Sequence, residues 1–146
     1  MTGALELLAS SARRAPDSPA VGTSDGSVGL SFGELDAHVE ALADRLRQHG
    51  VGDGDTIAIV SDNRVEFAVA LLAVVSTGAR AAPVSPSLTV PEIGSALAAV
   101  NARATIVPDQ SLGDLLAMLP DVVPGPVWKL TLDPGAETAG PPERNR

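Results

Sequence analysis

Three short polar runs stand where chemistry is possible: Ser61-Asp62-Asn63-Arg64, Ser85-Pro86-Ser87 and Asp109-Gln110-Ser111. Each follows an apolar stretch, which would put it at the carboxyl end of a strand, where parallel α/β sheets hold their ligands. On that reading Asp62 is a candidate general base and Arg64 a candidate hook for an anion. Ser61, Asn63, Ser85, Ser87, Asp109 and Gln110 would form a ligand-binding rim around them. His38 is a third catalytic candidate, although beside Asp36 and Glu34 it reads better as a solvated helix residue. Capping explains Asn63, Thr89 and Ser111 in full, so the structural reading outweighs the chemical one.

Other chemistries fail on residue type or spacing. His38 and His49 lie eleven positions apart, which on one helix shares a face but separates them by ~16 Å, too far for one metal. His49 suits the end of a helix. Gly52-Asp53-Gly54-Asp55 lacks the further acidic ligands of a calcium loop and reads as a turn. With no cysteine, disulfides, thiolate metal sites and thiol nucleophiles are excluded. No Ser-His-Asp triad is singled out, and neither a metal nor a cofactor is expected.

The elements that must position these residues are written in the hydrophobic pattern. Ala4 to Arg14 reads as a short amphipathic helix with Leu5, Leu8 and Ala12 on one face, ended by Pro16 and Pro19. Asp25-Gly26 between short apolar pieces predicts a tight hairpin. Ser31 with Glu34 makes a capping box, and Leu30 with Leu35 a hydrophobic staple. Phe32, Leu35, Val39, Leu42 and Leu46 then mark one buried helical face, and Gly50 can supply a left-handed turn at its end.

The same pattern recurs downstream. Thr56 to Val60 is a nearly continuous apolar run, as expected of a strand covered on both faces. Asn63 with Glu66 would cap the next helix, which Gly78 ends. Arg80 to Val84 is a weaker strand with Pro83 at an edge. Thr89 with Glu92 opens a helix through Ile93, Leu97 and Val100. Ala104 to Val107 is a strand, Ser111 with Asp114 opens a short helix to Pro120, and Val127 to Leu132 is a half-covered outer strand. The expected fold is α/β: a mainly parallel sheet with helices on both faces, plus an N-terminal helix and β-hairpin. Residues 1–132 read as one domain and 133–146 as a flexible Pro/Gly-rich tail.

Composition narrows the partners. The 45% hydrophobic content supports a core, and with 2% aromatics that core is built from Ala, Val, Leu and Ile. A net charge of −8 with one lysine, Lys129, argues against nucleic acid. The N-terminus reads neither as a signal peptide nor as a twin-arginine signal. The longest strongly apolar run, Phe67 to Val75, is far short of the ~20 residues of a membrane span. A soluble, cytoplasmic protein away from membranes is expected.

These residues, taken in order, resemble a known family. Leu30-Ser31-Phe32-Gly33-Glu34-Leu35 is similar to the Leu-Thr-Tyr-x-Glu-Leu opening of the adenylate-forming enzymes: acyl-CoA synthetases, amino-acid adenylation domains and luciferases. VGDGDTIAIVSDNRVEFAVALLAVVSTGARAAPVSPSLTVPEI, Val51 to Ile93, follows that family's order of glycine turn, strand, Asn-x-x-Glu-Phe helix, Gly-Ala turn and Pro-x-x-Pro-x-Leu-Thr-x-x-Glu helix start. NARATIV also matches in character. The likeness runs from Ala4 to Leu132 and lies in the order and spacing of the pieces.

The resemblance implies the first subdomain of such an enzyme, with the chemistry further along the family's chain. The family holds ATP on a Thr-Ser-Gly-Thr-Thr-Gly-x-Pro-Lys loop, and uses an acidic residue for ribose and a lysine on a mobile C-terminal domain. Where that loop is due, this sequence reads ETAGPPERNR, and Lys129 matches neither family lysine. The expectation is a truncated, non-adenylating relative that acts by binding. It would serve as an auxiliary, regulatory or scaffold partner of a full-length adenylating enzyme or a carrier protein, or form a homodimer. The alternative is a repurposed small enzyme binding a small molecule in the rim or at a dimer interface, for an ATP-independent cyclisation, isomerisation or hydrolysis. Ala/Gly/Arg-rich composition suggests a high-GC, actinobacterial source and a biosynthetic setting.

Overall fold

The computed structural model describes residues 3–26, 29–130 and 132. The chain runs α1 (Gly3–Arg14), β1 (Pro19–Gly22), β2 (Gly29–Ser31), α2 (Phe32–Gln48), β3 (Thr56–Val60), α3 (Val65–Ser76), β4 (Arg80–Val84), α4 (Val90–Ala99), β5 (Ala104–Val107), α5 (Gln110–Ala117) and β6 (Val127–Lys129). Strands β4-β3-β5-β6 form a parallel sheet in that order, and β1-β2 an antiparallel pair. This is the expected α/β architecture, with β4 and β6 at the edges.

The continuous apolar run of β3 is explained by cover on both faces. Ile57 and Ile59 pack with Leu35, Leu42 and Leu46 of α2 and Val69 and Val74 of α3. Ala58 and Val60 face the other way, against Ile93 and Leu97 of α4 and Leu116 of α5. Ile57 and Ile59 are fully buried, which for each contributes about 1.5–3 kcal/mol relative to exposure. Trp128 and Leu130 are buried in the α2/α3 layer and Leu132 packs against it, but the strand is shorter than expected, ending at Lys129, and its other face is not bare, since Val127 packs into the second core and Lys129 bonds Asp114 of α5.

Local signals set most boundaries. In α2 the Ser31 hydroxyl accepts from Glu34 N–H while Glu34 accepts from Ser31 N–H, and Thr89 with Glu92 repeats this in α4. Gly50 and Gly78 take φ of 81° and 90° after their helices, a region that favours glycine.

Four expectations are corrected. The hairpin is wider than a tight turn, because the last pair is Gly22 with Gly29; Ser27 and Val28 within that connection lie outside the described residues. The N-cap of α3 is Arg64, without a side-chain cap bond, and not Asn63. Asp109, not Ser111, caps α5, its carboxylate accepting from Leu112 N–H at 2.9 Å. Val100 is the C-cap of α4 and 39% exposed, so it leaves the buried face that Ile93 and Leu97 keep. The tail, 133–146, lies outside the described residues.

Candidate functional site

The carboxyl ends of β3, β4 and β5 bring together part of the expected rim. Val60, Ser61, Asp62, Arg64, Pro86 and Asp109 line a cleft of ≈30 Å³, room for about one water molecule. Arg64 Nε donates to Asp62 Oδ1 at 2.6 Å, and its Nη2 to Oδ2 at 3.5 Å. Glu66 stands 4.0 Å from Nη1. The hydrogen bond from Arg64 holds the Asp62 carboxyl below the usual carboxylate range, and Asp62 in return raises the guanidinium. A carboxylate held ionised in this way is a weak proton acceptor, and its partner has two of its five donors engaged.

The other rim residues stay in local roles. Asn63 is exposed and is not in the cleft lining. Ser85 Oγ accepts from Ser87 N–H at 3.2 Å, closing a turn, and Gln110 Nε2 donates to Pro108 O at 3.3 Å. Asp109 reaches the cleft while its carboxylate caps α5. His38 lies within α2, half-buried, apart from the cleft. Among the described residues no group of three or more His, Asp or Glu side chains is placed to hold a metal. No helix among them is long and apolar enough to cross a membrane.

A second, open hollow of ≈570 Å³ lies on the β1-β2 hairpin, lined by Ala20, Val21, Leu30, Ser31 and Glu34 among others. Its Ser31 and Glu34 side chains are already engaged in the α2 capping box, and the Ser31 N–H holds the Glu34 carboxyl below its ordinary range.

The group that sequence reasoning missed is Arg103, at the opposite end of the sheet. Its guanidinium donates to Gly50 O at 2.6 Å, His49 O at 2.8 Å and Asp55 Oδ2 at 2.7 Å. Asp55 also accepts from Gly52 N–H at 2.9 Å. That bond first, and the Arg103 guanidinium after it, hold the Asp55 carboxyl below its usual range. The knot ties the end of α2 to the start of β3, and no local signal announces it because the partners are 48 to 54 positions away. His49 serves the helix end as expected, with Nδ1 2.9 Å from Arg45 O and its ring edge-on to Trp128 at 5.4 Å.

With this geometry in place, likeness to known proteins fixes the family. The chain is 35% identical over 105 residues to surfactin synthase subunit 3 of Bacillus subtilis, covering 72% of this chain and 8% of that protein. A putative long-chain-fatty-acid CoA ligase from Rhodopseudomonas palustris superposes with a TM-score of 0.74 at 27% identity, over 93% of this chain and 34% of that one. The N-terminal subdomain of NpsA from Klebsiella oxytoca, in complex with 3-hydroxybenzoyl-AMSN, matches with a TM-score of 0.63 at 28% identity, over 71% of this chain and 26% of that one. The chain thus spans a small part of the synthetase and about a third of the ligase, and its sheet is that of the N-terminal part of the fold. Residues 8–144 match the profile of the AMP-binding enzymes, and the chain belongs to that family.

Proposed function

We propose that this chain is a non-adenylating member of its family that acts by binding, as an auxiliary, regulatory or scaffold partner of a full-length adenylating enzyme or a carrier protein in a biosynthetic, cytoplasmic setting. The observation that carries the reading is the state of the carboxyl-end rim. The cleft there measures ≈30 Å³, whereas small-molecule sites run from roughly 300 Å³ upward. Its cation, Arg64, is bound to Asp62, and its other carboxylate, Asp109, caps α5. An ATP-independent reaction in the same rim meets the same lack of space.

Relatives offer a partner class. One of them is a surfactin synthase subunit, and a matched structure is an artificially fused adenylation–PCP di-domain from Klebsiella oxytoca. A protein sharing the N-terminal part of that fold suits an assembly in which adenylating and carrier units meet. The test joins two measurements. ATP–pyrophosphate exchange with the chain alone, over a panel of carboxylic acids, is expected to stay at background. Gentle affinity purification from the producing cells is expected to recover an adenylating enzyme or a carrier protein in fixed ratio. Exchange above background by the chain alone would overturn the reading, as would its recovery with neither partner.

A further inference from the structure

Among the described residues, one buried side-chain nitrogen or oxygen has no hydrogen-bond partner: Nε1 of Trp128. The residue is 5% exposed, and an indole N–H can only donate. A donor shut away from water without an acceptor is costly and rare in folded chains.

The ring against Trp128 is that of His49, the C-cap of α2. The two meet edge to face, with centroids 5.4 Å apart and planes at 63°. His49 Nδ1 lies 2.9 Å from Arg45 O. A carbonyl oxygen only accepts, so Nδ1 carries the proton and the ring is held in place by it. The charged groups around this ring are few. Arg45 stands one turn earlier on α2. Arg103, in the connection between α4 and β5, donates to His49 O and is paired with Asp55 from the turn before β3. Lys129 of β6 turns away to Asp114 on the other face of the sheet.

We propose that the Trp128 N–H donates to the π face of the neutral His49 ring and that protonation of His49 breaks this contact, a pH-sensitive latch between the outer strand β6 and the end of α2. The face of an uncharged aromatic ring accepts an N–H weakly. An imidazolium spreads its positive charge over the same face and repels the donor. With the Arg103 guanidinium already on His49 O, that charge also stands beside a second cation. The negative end of the α2 dipole pulls the other way, toward the charged ring, which keeps both forms within reach. Strand β6 has one neighbour in the sheet, so releasing Trp128 loosens that edge as pH falls from about 8 to about 5. The device is separate from the binding role proposed above.

Trp128 is the only tryptophan, so the full chain labelled with nitrogen-15 gives a single indole N–H signal. At about pH 8 that proton is expected upfield of a free indole, shielded by the ring it faces, and protected from exchange at least about tenfold. On acidification to about pH 5.5 it is expected to move toward the free position and lose that protection, in step with the imidazole signals of His49. His49→Gln keeps a donor for Arg45 O but has no ring, and is expected to remove the upfield shift at every pH. His38→Gln is expected to leave the titration as it is, and circular dichroism checks the fold of each variant. Should His49→Gln fail to fold, the wild-type imidazole and indole titrations still decide by whether they coincide. An indole proton at the free position at high pH, or one indifferent to pH or following His38, overturns the proposal. A proton that gains protection on acidification overturns it too, and assigns the pair to a cation–π contact in which the His49 edge meets the Trp128 face.

Discussion

The two ends of the parallel sheet are organised on different scales. At the amino end, Arg103 gathers His49, Gly50 and Asp55 across 48 to 54 positions of chain. At the carboxyl end, the polar groups around the cleft bond to neighbours two or three positions away, Arg64 to Asp62, Leu112 to Asp109 and Ser87 to Ser85, while the Lys129–Asp114 ion pair spans fifteen. The first arrangement fixes separate elements against one another and contributes to stability. The second caps helices and closes turns one at a time, and leaves a cleft too small for a metabolite. Ligand-bearing rims elsewhere rest on rigid strands and put their variety into loops. Here the rigid strands are present, and the loops are occupied with their own ends.

The sharpest way to break this contrast is to cut the long-range knot. Arg103→Ala removes two bonds to backbone carbonyls and the ion pair with Asp55, whose side chains are 41% and 25% exposed. With charge-assisted bonds discounted for that exposure, the expected loss is about 2–3 kcal/mol, or roughly 5–10 °C in Tm. Gly125→Ala attacks the same place from the other side. Gly125 has φ of 90°, and a Cβ on it would sit 2.7 Å from Arg103 O, so a loss of about 2–3 kcal/mol is expected. Trp128, the only tryptophan and 5% exposed, supplies a fluorescence readout of unfolding. Losses below about 0.5 kcal/mol for both variants would remove the distinction between the two ends.

Acid titration sharpens it. Because the folded pKa of Asp55 is lowered, its contribution is fully present above the unfolded value of about 3.9 and is lost as pH falls through the lower folded value. Asp55→Asn is therefore expected to cost about 1–2 kcal/mol at neutral pH, with the gap to the wild type closing below about pH 4. Denaturant melts at a series of pH values read this directly. A gap that stays constant down to acid conditions would show that Asp55 acts through packing and not through charge.

At the carboxyl end the largest effect expected is that of a cap. Thr89→Ala removes the hydroxyl that accepts from Glu92 N–H, at about 1 kcal/mol. This is also where the sequence is most legible. Both capping boxes were readable because every atom involved lies within four residues, and so were the doubly covered β3 and the edge position of β4. The cap of α5 was misplaced by two residues: Asp109 and Ser111 are both good caps, and where the chain leaves β5 decides between them. Arg103 had no local signature at all. Asp62 and Arg64 stand together at one rim, and being two residues apart they satisfy each other.

That pairing sets the smallest effect. In the Asp62–Arg64 pair the side chains are 60% and 33% exposed, and such pairs are worth about 0.2–1 kcal/mol at best. Arg64 also stands as the N-cap of α3 without bonding any backbone N–H, so its removal takes away no cap, and it relieves a cation at the positive end of the helix dipole. The two terms oppose each other, and Arg64→Ala is expected to change stability by less than about 0.5 kcal/mol, measured by chemical denaturation. A loss above about 1.5 kcal/mol would instead place Arg64 with Arg103, as a tie between elements.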